Sequence, residues 1–131
     1  MKRIIFLLVL TLSTMTAFSQ TAAKSSSNET VGLVPTYQLY KTQNMWIYIK
    51  LNTQDGTMKL VQFSVDNIEN IGEFNLNQTN LASGKEKKNG RFTLTPTDNM
   101  WTFLLLDQID GDVWQVQWAF DADERFVRKI E

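Results

Sequence analysis

Carboxylates are the reactive side chains that this sequence gathers together. Six of them fall on two predicted turns near the C-terminus: Asp107, Asp110, Asp112, Asp121, Asp123 and Glu124. Two carboxyl groups facing a sugar across a cleft can hydrolyse a glycosidic bond, and acidic turns can bind Ca²⁺ through their oxygen atoms. The spacing Asp107-x-x-Asp110-x-Asp112 does not match an EF-hand loop. Because Asp110-Gly111 is also typical of a turn, we interpret these acids as solvated turn residues and predict no metal site.

The composition closes most other routes to catalysis. The chain contains no histidine and no cysteine, which excludes Ser-His-Asp and Cys-His nucleophiles, thiolate chemistry and histidine-based metal catalysis. It also contains no glycine-rich phosphate-binding loop and no dinucleotide-binding pattern. The sequence therefore predicts a protein that is not an enzyme and that uses no cofactor.

Tryptophan and glutamine supply the candidate binding residues. Exposed aromatic rings are common in protein interfaces and on surfaces that stack against sugars. Glutamine is not a preferred strand residue, yet Val-Gln occurs at both 61–62 and 116–117. The candidates are Trp46, Trp101, Trp114, Gln62, Gln115 and Gln117. Two alternatives stay open, since the tryptophans can instead be core residues and the glutamines can hydrogen-bond across strands.

The N-terminal segment has the layout of an export signal. Lys2 and Arg3 precede a short apolar run at 4–12, and the polar stretch that follows contains Ala17-Phe18-Ser19. This predicts a signal peptide at 1–19, whose apolar run is too short for a permanent membrane anchor. Residues 20–30 are small and polar, which predicts a flexible leader. We expect one β domain at 31–131, located in the periplasm or outside the cell, with no membrane span after cleavage.

The charge balance argues against nucleic acid as a partner. Without Lys2 and Arg3 the chain has 11 basic residues against 14 acids, a net charge of −3. The basic cluster KEKK at 85–88 is interrupted by an acid and lies in a polar segment, which is typical of a solvated loop. Since no cysteine is available for disulfides, stability has to come from an apolar core.

An internal duplication organises the domain. Asn-Met-Trp occurs at 44–46 and again at 99–101, and an offset of 55 residues brings the two copies into register. At this offset, residues 37–75 share twelve identities with residues 92–130. Average composition would give about two or three. The sequence therefore predicts two homologous units, joined by a polar linker at 78–90.

Each unit has the pattern of an antiparallel β meander. Residues 113–120 alternate, which places Trp114, Val116, Trp118 and Phe120 on one side of a strand. Asp-Gly at 55–56 and 110–111 predicts a tight hairpin turn in each unit. Upstream of each turn lies a strand that is apolar at nearly every position, which indicates a strand covered on both faces.

The fold class follows from these units. Shorter strands are predicted at 37–41, 73–77, 91–95 and 125–130. One meander alone has too small a core to be stable. We therefore predict an all-β fold in which two tandem meander repeats face each other with pseudo-twofold symmetry as a small sandwich or barrel. A propeller needs more blades and would require oligomerisation.

The second unit also carries a resemblance. The stretch "MWTFLLLDQIDGDVWQVQW", followed by "RFV", resembles small exported proteins of Bacteroidota with a repeated MWxFLxLD…G…WQVQW signature. The match covers 91–130 closely and the first unit more loosely, because Lys59 stands where Trp114 satisfies the signature. The resemblance implies export and a repeat, and it implies no activity and no site residues.

Together these features predict an exported, non-enzymatic β-repeat protein that binds another macromolecule, with a protein as the expected partner. A sharper version is a periplasmic immunity or inhibitor protein that blocks a toxin or a hydrolase. The alternatives are a carbohydrate-binding module that uses exposed Trp46, Trp101 or Trp114, a weak hydrolase that uses the acidic turns, and a structural surface component.

Overall fold

The computed structural model describes residues 33–131, so the predicted signal peptide and leader lie outside the described residues. These residues form eight strands: β1 (Tyr37–Lys41), β2 (Ile47–Asn52), β3 (Met58–Gln62), β4 (Gly72–Asn77), β5 (Phe92–Pro96), β6 (Thr102–Asp107), β7 (Val113–Gln117) and β8 (Phe126–Ile130). Short 3₁₀ helices, Ile68–Asn70 and Ala122–Glu124, precede β4 and β8. No helix within 33–131 is long and apolar enough to cross a membrane.

The strands form two antiparallel meanders. The first sheet has the order β1-β2-β3-β4 and the second has the order β5-β6-β7-β8. The two sheets pack together over shared buried side chains. The prediction of an all-β fold built from two packed tandem repeats is therefore confirmed.

The duplication is retained at the level of single hydrogen bonds. The N–H of Phe63 donates to Trp46, and 55 residues later the N–H of Trp118 donates to Trp101. The offset falls to 54 in the 3₁₀ helices, because the loop before β8 is one residue shorter than the loop before β4. The sequence alignment at a constant offset is wrong from this loop onward.

The two copies bury opposite faces. The first sheet buries Ile47, Ile49, Leu51, Met58 and Leu60. We call the face that carries these residues the front face, and the front face of the second sheet carries the equivalent positions 102, 104, 106, 113 and 115. The second sheet instead buries Phe103, Leu105, Asp107, Trp114 and Val116. We call the face that carries these residues the back face, and the back face of the first sheet carries the equivalent positions 48, 50, 52, 59 and 61. The core thus lies between the front of the first sheet and the back of the second.

The sheets therefore stack as successive copies in one orientation. β2 lies beside β5, β4 lies beside β8, and the ends of β1 and β5 meet at one cavity. The predicted pseudo-twofold symmetry is wrong, because a twofold axis would bury equivalent faces. The prediction that β2 and β6 are covered on both faces is wrong as well, since each of them buries alternate residues only.

A buried ion pair fastens one end of the stack. We call this the hairpin end, which consists of turns 53–57 and 108–112 and the linker 78–91. Arg91 and Asp107 are both buried, and the Arg91 Nη2 atom lies 2.7 Å from Asp107 Oδ2. Arg91 Nη1 also donates to the carbonyl of Glu86 in the linker at 2.6 Å. The pair therefore connects the linker to the second hairpin. The longer loops lie at the opposite end of the stack.

Candidate functional site

Two equivalent turns place tryptophan at the opposite end of the stack. We call this the loop end, which consists of turns 42–46 and 97–101 and loops 63–71 and 118–125. In the first turn the Asn44 Oδ1 atom accepts the N–H of Trp46 at 2.8 Å, and the Thr42 hydroxyl donates to the Ile47 carbonyl at 2.8 Å. An asparagine side chain that bonds its own backbone two residues on is a common way to fix a turn.

The second turn repeats this geometry. Asn99 Oδ1 accepts the N–H of Trp101 at 2.9 Å, and the Thr97 hydroxyl donates to the Thr102 carbonyl at 2.8 Å. The repeated Asn-Met-Trp is thus explained locally, because the asparagine fixes the backbone from which the tryptophan ring projects. Both rings are partly buried, and the Trp101 ring packs against the core.

Trp46 forms the wall of a first cleft of about 230 Å³. The Trp46 and Phe63 rings meet edge to face with centroids 5.4 Å apart, and Phe120 reaches across from the second unit. The polar lining comes from Gln62, Asp66 and Asn70, together with Asn44 in the turn. This combination of aromatic walls and a few convergent polar groups is typical of small-molecule sites, whose volumes, about 300–1,000 Å³, exceed that of this cleft.

Trp101 forms the wall of a second cleft of about 200 Å³. Its ring lies 4.7 Å from Trp118 and 6.1 Å from Phe120. Trp118 is fully buried, and its indole N–H donates to the Met100 carbonyl at 2.8 Å, which holds the cluster rigidly. The polar lining comes from Gln117, Asp121 and Glu124.

The two clefts are products of the duplication. Equivalent positions line both of them: Trp46 and Trp101, Gln62 and Gln117, Phe63 and Trp118, and, at the offset of 54, Asn70 and Glu124. Phe120, which is 57% exposed, lines both clefts and forms the wall between them. The loop end therefore presents two related recesses side by side.

Arg125 holds the loop that carries Phe120. Its guanidinium donates to the backbone carbonyls of Ala119 at 2.8 Å and Phe120 at 2.6 Å, and it also reaches Asn75 in β4 at 3.2 Å. Its charge is thus directed at the backbone of both units. It is the single basic residue in loops 63–71 and 118–125.

The loop end carries unpaired negative charge. Five exposed acids lie on its two loops: Asp66, Glu69, Asp121, Asp123 and Glu124. Within residues 33–131 none of these five takes part in a salt bridge. Acidic side chains thus outnumber basic ones five to one on loops 63–71 and 118–125.

Exposed aliphatic side chains lie on the loop beside the first cleft. Val65 is 80% exposed, Ile68 is 84% exposed and Ile71 is also exposed, while Met45 is exposed on turn 42–46. Contiguous exposed apolar side chains with a polar rim are characteristic of interaction surfaces.

The remaining candidates lie away from the clefts. Trp114 is buried, with its ring 6.0 Å from Phe92, and lines neither cleft. Gln115 lies on the solvent-facing front of the second sheet, whereas Gln62 and Gln117 line the clefts. The structure thus brings four of the six predicted residues to the loop end: Trp46, Trp101, Gln62 and Gln117.

The acids of the second hairpin pair with bases, and the prediction that they are solvated turn residues is wrong for Asp107, which is buried at the end of β6. Asp107 pairs with Arg91, Asp110 with Lys85 and Arg91, and Asp112 with Lys129 at 2.9 Å. Burial of Asp107 by itself would raise the pKa of its carboxyl, but hydrogen bonds from Arg91 and from two backbone N–H groups outweigh burial and hold that pKa below its ordinary value. Within the described part of the chain, no group of three or more acids is arranged to hold a metal ion.

Sequence reasoning missed the role of Phe120. We predicted that it shares the buried side of the strand with Trp118, but β7 ends at Gln117, so the alternation does not reach it. The recurrence of Asn-Met-Trp and of Val-Gln at one offset was the available signal for the clefts. No family model, no curated protein and no solved structure matches this chain.

Proposed function

We propose that this chain is an exported, non-enzymatic protein that binds another protein through its loop end. One observation carries the proposal: exposed apolar side chains, two aromatic clefts and unpaired acids all lie on the loops of one end. Binding surfaces are commonly built on loops that a rigid scaffold positions. The partner's surface is therefore apolar at its centre and basic at its edge.

The rigidity of the loop end supports binding. The Asn-Met-Trp turns fix the backbone at both tryptophans, and Arg125 anchors the loop that carries Phe120. A surface that is already ordered loses little conformational entropy when a partner docks on it. Aromatic side chains on such a surface are frequent binding hot spots.

Export is supported by the sequence of the N-terminal segment. Lys2 and Arg3, the apolar run at 4–12 and the Ala17-Phe18-Ser19 signature form the three-part layout of a secretory signal. The resemblance to exported Bacteroidota proteins agrees with that layout.

Affinity capture with matched variants tests the proposal. The protein, expressed from its full-length sequence and purified as the cell processes it, is immobilised and exposed to periplasmic and secreted extracts. Val65→Ser/Ile68→Ser removes apolar contact at the loop end. Leu39→Ser/Ile130→Ser makes the same chemical change at exposed positions on the sheets. Circular dichroism first shows that all three proteins are folded.

The expected result is one stoichiometric protein that the wild type and the sheet variant retain and the loop-end variant loses. An eluted toxin or hydrolase would define the chain as an immunity or inhibitor protein. Retention that is equal in all three proteins, or no retention at all, contradicts binding of a protein at the loop end.

A carbohydrate-binding module is the second candidate function, and the clefts favour it. Half-buried Trp46 and Trp101 stand beside side-chain amides, which can hydrogen-bond sugar hydroxyls. A shift of tryptophan emission on addition of a glycan, abolished by Trp46→Ala and unchanged by Val65→Ser/Ile68→Ser, would select this function over protein binding.

A further inference from the structure

We propose that the two clefts are a matched pair of sites for cationic side chains, each taking one lysine or arginine of a basic segment in the partner. This inference rests on the proposed function and names the chemistry of the bound segment. It follows from the aromatic walls, the unpaired carboxylates and the duplication taken together.

The aromatic walls suit an organic cation. The face of a tryptophan or phenylalanine ring attracts a guanidinium or ammonium group that lies within about 6 Å of its centroid. The first cleft offers Trp46, Phe63 and Phe120, and the second offers Trp101 and Phe120, with the buried Trp118 packed against the Trp101 ring. Arginine and lysine also bury their aliphatic stems well against such rings.

The carboxylates supply the countercharge. Asp66 lines the first cleft, and Asp121 and Glu124 line the second. The opposite end of the molecule gives the contrast, because the three aspartates of the hairpin turns and Asp107 at the end of β6 all pair with a base: Asp55 with Lys87, Asp107 with Arg91, Asp110 with Lys85 and Asp112 with Lys129. The chain thus neutralises the acids of its hairpin turns and leaves those at its clefts available.

Unpaired carboxylates favour a cation over a neutral sugar. A ligand that fills either cleft removes water from the carboxylate beside it, and that desolvation is costly unless a positive charge replaces the water. A neutral glycan returns hydrogen bonds only, whereas a basic side chain returns both hydrogen bonds and charge.

The duplication makes the sites a pair. Both clefts have about the same volume and share Phe120 as a wall. A segment with two basic side chains can therefore occupy both, and the second contact forms at a high effective concentration once the first is made.

Nuclear magnetic resonance titration with defined peptides tests this inference. The probe is acetyl-Arg-Gly-Arg-amide, and its control replaces both arginines by citrulline, which keeps the shape of the side chain and removes its charge. The indole N–H signals of Trp46 and Trp101 report on the clefts, and that of Trp114, buried in the core, is the internal reference. Asp66→Asn and Asp121→Asn/Glu124→Gln remove the countercharge. Glu86→Gln removes an exposed acid at the hairpin end.

We expect the arginine peptide to shift the Trp46 and Trp101 signals, with an affinity at least about tenfold above that of the citrulline peptide. Each cleft variant weakens binding and spares the other cleft's signal, Glu86→Gln changes neither, and added salt weakens the complex. Equal affinity for both peptides, no shift with either, or a neutral oligosaccharide that shifts the same signals in their place overturns the inference.

The two proposals can fail separately. If capture from extracts depends on Val65 and Ile68 but is unaffected by Asp66→Asn and Asp121→Asn/Glu124→Gln, protein binding stands and the cationic sites do not. If nothing is captured while the arginine peptide still binds as expected, the clefts recognise cations and the proposed protein docking fails.

Discussion

Arg91 and Asp107 form an ion pair whose two side chains are both buried. The guanidinium places Nε and Nη2 on the carboxylate at 2.7–3.1 Å, and the remaining nitrogen bonds the Glu86 carbonyl. Such a pair does not necessarily stabilise the fold relative to apolar residues, but removal of Asp107 leaves the buried guanidinium with the partly exposed Asp110 as its single acidic partner among the described residues.

We therefore expect Asp107→Asn to lower the free energy of unfolding by about 3–5 kcal/mol. Urea denaturation at neutral pH, monitored by circular dichroism, measures the change. Glu73→Gln breaks an exposed pair with Lys50 and is the control, which should stay close to the wild type. Equal effects of the two substitutions would show that the Arg91 pair is solvated.

The same carboxyl predicts a pH dependence. Because the pKa of Asp107 is lower in the folded protein than its ordinary value of about 3.9, the ionised form stabilises the fold at every pH above that value. This contribution is lost as the pH falls through the folded-state pKa. The difference in unfolding free energy between wild type and Asp107→Asn should thus be constant near neutral pH and shrink below about pH 4. A difference that stays constant into acid would refute this assignment.

At the scale of elements, the two hairpin turns are equivalent in backbone and different in surroundings. Gly56 and Gly111 have φ angles of 75° and 76°, which residues other than glycine adopt only at a cost in backbone strain. A Cβ atom at position 56 would lie 2.9 Å from the Leu81 Cδ1 atom, whereas a Cβ atom at position 111 would meet no atom within 4 Å.

Gly111→Ala should therefore cost about 1–2 kcal/mol from backbone strain alone. Gly56→Ala should cost more, because it also displaces Leu81 from the linker. Thermal denaturation of the two variants side by side gives the ordering. The reverse ordering would mean that Leu81 moves aside freely and that the linker does not brace the first hairpin.

The sequence was sufficient for the strands, the hairpins and the duplication, because Asp-Gly turns and alternating residues are local signals. It was not sufficient for the choice of buried face. β6 is apolar at both parities, so either of its faces could enter a core and the partner sheet makes the selection, whereas β2 carries Lys50 and Asn52 on the face that is not buried. Lys59 and Gln115, each in the place of a core residue of the other copy, were the available clue.

The residues of the clefts could likewise be predicted from the sequence only in part. Trp46, Trp101, Gln62 and Gln117 were identified from residue type and recurrence, since those signals are local. Phe120 could not be, because its position depends on where β7 ends and on how the second unit packs against the first.

At the scale of the whole molecule, the front of the first sheet packs on the back of the second sheet, and one front face and one back face are left without a partner sheet. The back of the first sheet and the front of the second are the counterparts of the two faces that already pack in the core. A contact of this head-to-tail kind can repeat from copy to copy into rings or filaments. Repeat proteins prevent this with polar residues on their outer faces.

The back of the first sheet carries that polar layer. Lys50 and Lys59 lie opposite each other on neighbouring strands, and both pair with Glu73. The equivalent positions in the second copy are Leu105 and Trp114, which are buried, and Val127, which packs against the core. Lys50, Lys59 and Glu73 are thus the three polar residues that keep a further sheet from packing on the back of the first sheet.

We therefore predict that Lys50→Leu/Lys59→Trp/Glu73→Val makes the protein self-associate. The variant gives the back of the first sheet the same apolar residues as the back of the second sheet, which already packs on a front face in the core. Analytical ultracentrifugation over a range of concentrations measures the change, and the wild type should remain monomeric. Glu86→Val/Lys87→Leu/Lys88→Trp places the same three side chains on the exposed linker and is the matched control. If the face variant stays monomeric, the front of the second sheet, where Gln115 replaces Leu60, is itself enough to end the stack. If the linker control associates equally, added hydrophobicity and not the shape of the sheet face is the cause.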